Sequence, residues 1–214
     1  MIIVIPAREG SKGLPHKNRK LFKYTADIIP SDLVSSTYVF SDDTEIIQSG
    51  IDRGFNIASR PKYTASDNIS TKESIEFFIK SNNIEDELVV MLYLTYPERT
   101  WDDVNAAINM INDNITARSL LCKKQIKTSP FLILKEEGKH NGSQLFPHDL
   151  YRRQDYPKCF EISHYICIFK SSKINNLNNN MYDSSTVFID INTNIIDIDT
   201  EKDLDLLHEK FSRD

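Results

Sequence analysis

Short apolar runs alternate along this chain with segments of helical spacing, and the alternation limits the folds that the chain can adopt. The runs have strand length and lie at about 2–6, 37–41, 88–94, 118–123, 163–169 and 186–191. Strands that alternate with helices form a mainly parallel sheet with helices on its faces. Since 214 residues can bury one good core, we predict one α/β domain over residues 1–214.

Three of the helical segments begin with a capping-box pattern, in which Ser or Thr is followed three residues later by an acid. The three helix starts are Ser70, Thr100 and Thr200. Residues 125–160 break this rhythm with three prolines, two glycines and mixed charge. We interpret the region of about 125–170 as an excursion from the main sheet.

The first apolar run leads directly into a basic loop that contains two of the six glycines of the chain, Gly10 and Gly13. Residues 8–23 contain six Lys or Arg and one acid, a local charge of +5 in a chain of net charge −5. A strand followed by such a loop presents backbone amides and cations to a phosphate. The confined positive charge favours a small polyanion over a nucleic acid, which needs a broader basic surface. A solvated basic loop is the alternative, and the spacing fits neither a Walker A loop nor a dinucleotide-binding turn.

A pair of carboxylates, Asp197 and Asp199, precedes the last predicted helix. Side chains two apart on an extended segment project to the same side. Two hard oxygen ligands suit Mg²⁺ that is held jointly with the phosphates of a nucleotide. An aspartate just before a helix also serves as a cap or interacts with the helix dipole, so a structural role is the alternative.

Several segments of the chain resemble the acylneuraminate cytidylyltransferases. The glycine loop carries the most specific match, Ala7-Arg8-x-Gly10-Ser11-Lys12-Gly13-x-Pro15-x-Lys17-Asn18. Further matches follow in the order of the family, at Ser41-Asp42-Asp43, Arg60-Pro61, Ala65-Ser66-Asp67, Pro97-x-Arg99-Thr100, Arg152-Arg153-Gln154-Asp155 and Asp197 to Leu204. The resemblance spans almost the whole chain, and it implies a three-layer, Rossmann-like nucleotidyltransferase fold with a mainly parallel sheet.

The resemblance also implies a reaction. A hydroxyl group of a 2-keto-3-deoxy sugar acid, either sialic acid or a related nonulosonate, attacks the α-phosphate of CTP, which yields a CMP-sugar and pyrophosphate. Chemistry of this type depends on positioning and charge neutralisation more than on a protein nucleophile. The expected cofactor is Mg²⁺, and the expected small-molecule partners are CTP and the sugar acid.

Residue roles are carried over from the family motifs. Catalytic roles fall to Arg8, Lys12, Lys17 and Asp199, and the metal ligands are Asp197 and Asp199. The nucleotide and the sugar acid are expected to contact Ala7, Gly10, Ser11, Gly13, Asn18, Arg60, Ala65, Asp67, Ser70, Thr71, Tyr93 and Arg153. Of these residues, Arg153 is expected to pair with the carboxylate of the sugar acid, because the fork of an arginine offers two parallel hydrogen bonds.

The chain departs from the family pattern at three places. Tyr93 stands where a sugar-binding glutamine is expected, and Ser163 stands where the family has asparagine. The segment between Lys20 and Ser41 is short, and Pro30 is expected to interrupt its helix. The sugar is therefore open, and two alternatives remain: a non-catalytic nucleotide-binding homologue, and a synthetase of the CMP-Kdo type.

The remaining expectations concern assembly and location. In the resembled family the excursion exchanges contacts with a second subunit, which implies a homodimer. The apolar runs are strand-sized and the amino terminus lacks the layout of a signal peptide, so we expect a cytoplasmic protein with no membrane or nucleic-acid partner. The cysteines show no metal-ligand spacing and are expected to be reduced thiols. The histidines and the asparagine-rich stretch 175–180 receive no role.

Overall fold

The computed structural model describes residues 1–66, 68–192 and 194–212. The strands of the described residues are β1 Ile2–Ala7, β2 Thr37–Ser41, β3 Asn56–Ser59, β4 Leu88–Met91, β5 Ser119–Gln125, β6 Leu134–Gly138, β7 Asn141–Gln144, β8 Phe160–Lys170 and β9 Val187–Asp190. Their α-helices are α1 Lys17–Asp27, α2 Thr44–Asp52, α3 Thr71–Ser81, α4 Trp101–Asp113 and α5 Glu201–Phe211. Short 3₁₀ turns lie between several of these elements.

Seven strands form one sheet in the order β3-β2-β1-β4-β8-β5-β9. β8 is antiparallel to both β4 and β5, and the other neighbouring pairs are parallel. The predicted mainly parallel α/β sheet is therefore confirmed. The chain order reverses at β1, which has β2 on one side and β4 on the other.

The strands of the sheet are apolar on both faces, as expected of parallel strands covered by helices. In β1, Ile3 and Ile5 belong to one buried cluster, which also contains the apolar faces of α1, α4 and α5. Val4 points to the opposite cluster, where the buried face of α3 packs. Helices thus cover both faces, and the predicted three-layer arrangement is confirmed.

The local predictions succeed where the signals were strong. All six predicted strands are present, and each of the three predicted capping boxes is formed in full at the start of its helix. β3, α1 and α2 were not predicted as elements. Pro30 lies after α1 has ended, at the start of the 3₁₀ turn Ser31–Ser36, so the expected interruption of the helix by this proline is wrong.

Within the predicted excursion, β6 and β7 pair with each other in a separate two-stranded antiparallel sheet. We call residues 126–159, which contain this hairpin, the arm. β8 belongs to the main sheet, so only part of the predicted region 125–170 leaves it. The arm exposes many large apolar side chains, namely Leu132, Ile133, Leu134, Leu145, Phe146, Leu150 and Tyr151.

Two further expectations concern the cysteines and the membrane. All three cysteines are free, as predicted. In the described parts of the chain, no helix combines the length and the apolar character that crossing a membrane requires.

Candidate active site

A cavity of about 310 Å³ opens at the carboxyl ends of β1 and β4, where the strand order reverses. Ligand sites of open α/β sheets commonly lie at this position. The lining comes from loops and helix starts: Pro6, Arg8, Gly10, Ser11, Lys17, Asn18, Arg60, Ser66, Ile69, Thr71, Ser74, Ile75, Tyr93, Leu94 and Thr95. We call it the first cavity.

Hydrogen bonds fix the basic loop on two sides of the first cavity. The Arg8 guanidinium donates to the Ala65 carbonyl at 3.2 Å, and the Asn18 amide donates to the Arg8 carbonyl at 2.8 Å. Ala7 is fully buried at the end of β1. The loop is thereby held between the start of α1 and the segment that follows β3.

The first turn of α1 has an arrangement that suits an anion. It begins after His16, which has a left-handed backbone (φ 55°, ψ 29°) and forms no side-chain cap, and the turn contains no acid. The first amides of a helix need partners, and the helix dipole favours negative charge at this end. Lys17, Arg19 and Lys20 add positive charge there. Arg19 is engaged by Asp43 at 2.7 Å, whereas Lys17 lines the first cavity.

The two motifs of the sequence meet in the structure. The Lys17 ammonium donates to the Asp199 carboxylate at 2.7 Å. A methyl group at Gly13 would lie 2.4 Å from the Asp199 carbonyl oxygen, so the loop passes the aspartate segment at a distance that only glycine permits. A methyl group at Gly10, in contrast, would have no described neighbouring atom within 4 Å.

A second cavity, of about 260 Å³, adjoins the first and shares Thr71, Tyr93 and Thr95 with it. Its other lining residues are Tyr96, His164, Asn179, Asn180, Asp197 and Asp199. The first cavity thus contains the basic loop and the second contains the aspartate pair, with Tyr93 at the boundary.

Two aromatic side chains, Tyr93 and His164, form one wall of the second cavity. The Tyr93 and His164 rings meet edge to face at 5.5 Å. The Tyr93 hydroxyl shares a hydrogen bond with Thr71, and the His164 ring nitrogen lies 3.2 Å from the Asn180 carbonyl. Burial raises the pKa of Tyr93 and lowers the pKa of His164, so both rings are neutral at pH 7.

The aspartate segment is anchored through its backbone, which leaves both carboxylates at the cavity. The Ile198 amide donates to the Thr95 carbonyl at 2.9 Å, and the Ile198 side chain is fully buried while both aspartates are exposed. Asp197 and Asp199 both line the second cavity. Thr200 is the N-cap of α5, so neither aspartate has the capping role considered above.

The donor set fits Mg²⁺, which commonly binds one or two carboxylates, substrate phosphates and water. Asp197 and Asp199 supply two hard oxygen donors on one cavity. In the described residues, no group of three or more His, Cys, Asp or Glu side chains is placed to hold a metal, so phosphate oxygens and water would complete the coordination.

The predicted cytidine contact Arg60 is mostly buried. Its guanidinium donates to the Thr64 carbonyl at 2.6 Å and lies 5.4 Å from the centre of the Phe40 ring. Burial lowers the pKa of Arg60, and its Nε atom has no hydrogen-bond partner. Arg60 lines the first cavity.

The other predicted site residues differ in how they are placed relative to the two cavities. Ser70 is the N-cap of α3 and forms a reciprocal capping box with Glu73, while its neighbour Thr71 lines both cavities. Lys12 is exposed on the loop, outside the described lining of the first cavity. Asp67 lies outside the described residues.

Arg153 is not brought together with the other predicted residues. It is exposed at the base of the arm, where it lines a separate cavity of about 520 Å³ with Lys127 and Lys158. Within one chain it therefore contributes to neither of the first two cavities.

Sequence reasoning missed several residues of the second cavity: Thr95, Tyr96, His164, Asn179 and Asn180. The two asparagines belong to the stretch that received no role. Ser163, in contrast, is buried behind Tyr96 rather than in the lining. Pairing of β8 with β4 creates this wall, and no local pattern signals that pairing.

Arg99 is another residue whose structural role is visible only in the tertiary structure. Its buried guanidinium donates to the carbonyls of Tyr165 and Tyr93 at 2.6 and 2.8 Å, and to the Thr25 hydroxyl at 3.0 Å. Burial lowers its pKa to about 10, so it remains charged at neutral pH. Arg99 thereby holds the segment after β4 against β8 and α1.

Comparison with known proteins shows similarity to a curated cytidylyltransferase sequence. No family model matches the chain. The N-acylneuraminate cytidylyltransferase of Streptococcus agalactiae is 28% identical over 167 residues, which cover 72% of this chain and 39% of that protein. The chain therefore spans well under half the length of this relative. The predicted resemblance is confirmed.

Solved structures with the same fold include several cytidylyltransferases. CMP:2-keto-3-deoxy-manno-octonic acid synthetase complexed with CTP has a TM-score of 0.67 at 15% identity, covering 99% of this chain and 98% of that chain. 4-Diphosphocytidyl-2C-methyl-D-erythritol synthase of Anaerococcus prevotii has a TM-score of 0.64 at 12% identity, with coverages of 99% and 98%. A cytidylyltransferase of Leptospira borgpetersenii has a TM-score of 0.60 at 14% identity, with coverages of 100% and 87%. The predicted nucleotidyltransferase fold is confirmed.

Proposed function

We propose that this chain is a cytidylyltransferase that joins CMP, taken from CTP, to a 2-keto-3-deoxy sugar acid. The observation that carries the proposal is the contact between the basic loop and the aspartate pair, through Lys17 with Asp199 and through Gly13. Two adjoining cavities meet at this contact, which suits a reaction between a nucleotide and a second substrate. The similarity to a named N-acylneuraminate cytidylyltransferase supports the same reaction.

In this proposal the first cavity binds CTP. Arg8, Lys17 and the loop amides contact the triphosphate, since cations and unpaired amides at a helix start are the groups that bind phosphate. The cytidine lies toward Arg60, which lines the first cavity beside Ser66 and Ile69. Lys12, which is exposed on the loop, closes over the leaving pyrophosphate.

The second cavity binds the sugar acid beside the aspartate pair. A hydroxyl oxygen of the sugar attacks the α-phosphorus, the bond from that phosphorus to the bridging oxygen breaks, and pyrophosphate leaves. The hydroxyl proton passes to solvent. Mg²⁺, bound by Asp197 and Asp199, would neutralise charge on the phosphates and lower the pKa of the attacking hydroxyl. The residues of the chain contribute chiefly position and charge.

The arm supports a proposed homodimer. Its exposed apolar side chains include Leu134 and Tyr151, which are 66% and 84% exposed. Many exposed apolar side chains in one segment indicate an interaction surface. In a dimer, Arg153 of each arm would reach the sugar site of the other subunit and pair with the substrate carboxylate. Light scattering should give a molar mass twice that of a single chain. Leu134→Asp should reduce this molar mass to that of a single chain. The control is Ile115→Asp, at an 88% exposed position outside the arm.

Pyrophosphate release tests the reaction. The assay contains CTP, Mg²⁺ and one of N-acetylneuraminate, its deaminated form, legionaminate, pseudaminate or Kdo, with UTP as the nucleotide control. Release with one sugar supports the proposal and identifies the substrate, and Kdo alone would support the CMP-Kdo alternative. A folded protein that binds CTP yet releases no pyrophosphate with any sugar would favour the non-catalytic alternative. The aromatic Tyr93 and His164 wall is the observation that favours that alternative.

A further inference from the structure

A chain of hydrogen bonds ends at the second cavity, and the proposed reaction assigns it no role. The Ser163 hydroxyl donates to the Tyr96 hydroxyl at 3.4 Å, and the Tyr96 hydroxyl donates to the Asp197 carboxylate at 2.7 Å. The Ser163 hydroxyl also accepts the Tyr165 amide at 3.2 Å. The chain therefore runs from the backbone of β8 to a carboxylate at the cavity.

Tyr96 is rigidly held, so it can orient what it contacts. Its side chain is 7% exposed, and its ring meets the Tyr165 ring edge to face at 5.7 Å. Burial, the contact with the Tyr165 ring and the hydrogen bonds at its own hydroxyl thus hold Tyr96 in place.

Asp197, by contrast, is exposed and needs such support. Its backbone is held by its neighbour Ile198, but its carboxylate would otherwise rotate in solvent. The hydrogen bond from Tyr96 goes to Oδ2, and Asp197 lines the second cavity. Asp199 is oriented in a different way, by its ion pair with Lys17.

We propose that Tyr96 is a positioning residue that orients Asp197 for a divalent cation through the Ser163–Tyr96–Asp197 hydrogen-bond chain. The inference rests on the proposed function for the identity of the cation. Groups that orient a ligating carboxylate typically change metal affinity or activity about 10- to 100-fold when they are removed. Tyr96 lines the second cavity, and in this proposal it affects the reaction through its hydrogen bond to Asp197.

Tyr96→Phe tests the inference because it deletes the hydroxyl and keeps the ring. The matched control is Tyr165→Phe, which deletes the hydroxyl of an equally buried tyrosine that bonds to Asp103 instead. The probe is Mn²⁺, titrated into the full chain in the presence of CTP and followed by electron paramagnetic resonance. We expect Tyr96→Phe to raise the dissociation constant for Mn²⁺ about tenfold or more, with Tyr165→Phe unchanged.

A second readout is the half-saturating Mg²⁺ concentration for pyrophosphate release, which should rise in Tyr96→Phe while the KM for CTP at saturating Mg²⁺ stays constant. Ser163→Ala should give a smaller shift in the same direction and provides the test if Tyr96→Phe does not fold. Equal Mn²⁺ affinity in Tyr96→Phe and the wild type would overturn the inference. Absence of turnover in the wild type would count against the proposed function only, because the Mn²⁺ titration needs no turnover.

Discussion

Gly13→Ala is the most direct test of how the basic loop and the aspartate segment fit together. The new methyl carbon would lie 2.4 Å from the Asp199 carbonyl oxygen, whereas real contacts of this kind are not shorter than 3.0 Å. The segments must therefore separate by about 0.6 Å or more. The methyl carbon is fixed directly to the backbone of residue 13 and the oxygen is a backbone atom, so rotation of a side chain cannot relieve the clash.

The expected magnitude follows from this displacement. Overpacking typically costs about 1–3 kcal/mol, and a domain of this size loses about 2–4 °C in Tm for each kcal/mol. A drop in Tm of roughly 2–12 °C is expected by differential scanning fluorimetry. Because a misplacement on the order of 1 Å can reduce a rate about 100-fold, Mg²⁺-dependent pyrophosphate release should fall by a factor between about 10 and 100.

Gly10→Ala is the matched control, because it places the same methyl group in the same loop with nothing within 4 Å. Its Tm should equal that of the wild type. If Gly13→Ala also melts with the wild type and keeps its turnover, the loop does not press against the Asp199 backbone, and the reasoning that joins the two motifs is refuted.

Four further predictions concern single side chains. Lys17→Ala should weaken CTP binding at least about tenfold by calorimetry, since a charge-assisted phosphate contact is worth about 1.5–3 kcal/mol; unchanged affinity would remove Lys17 from the site. Asp199→Asn should abolish Mg²⁺-dependent turnover with little change in Tm because the Asp199 side chain is 69% exposed, and retained turnover would exclude it as a ligand. Tyr93→Gln should change the ratio of kcat/KM values between two sugar acids about tenfold or more while Tyr93→Phe does not, and an unchanged ratio would take Tyr93 out of the sugar site. Because burial holds the pKa of His164 below 6.5, the unfolded chain binds the proton more readily; stability should fall as pH decreases through 6.5, and less steeply in His164→Gln, whereas identical pH profiles would contradict this.

The elements that sequence predicted well are those with short-range signals. The first strand, the glycine loop and the three capping boxes are each specified by residues within a few positions of one another, and all of them are present. α1 was missed because its first turn is basic and its start has no side-chain cap. The structure gives this irregular start a reason, since Lys17 and Asn18 of the uncapped turn line the first cavity.

The candidate site likewise consists of a part that the sequence predicted and a part that it did not. The basic loop and the aspartate pair were recognisable from residue type and spacing, and resemblance to a family extended the prediction to Arg60 and Thr71. The aromatic wall was not predictable, because Tyr93 and His164 lie far apart in the chain and meet only through the antiparallel pairing of β4 with β8.

By itself, the sequence determined the α/β class, the basic glycine loop suited to binding phosphate, and two carboxylates spaced two residues apart. These features follow from hydrophobic periodicity, glycine placement and residue spacing, which are local properties of the chain. Tertiary structure alone decided that Gly13 touches the Asp199 backbone, that Tyr96 orients Asp197, and that Arg153 lies away from both cavities of its own chain. These relations depend on which strands become neighbours in the sheet. That choice is made by the burial of the whole apolar core, and no single segment encodes it.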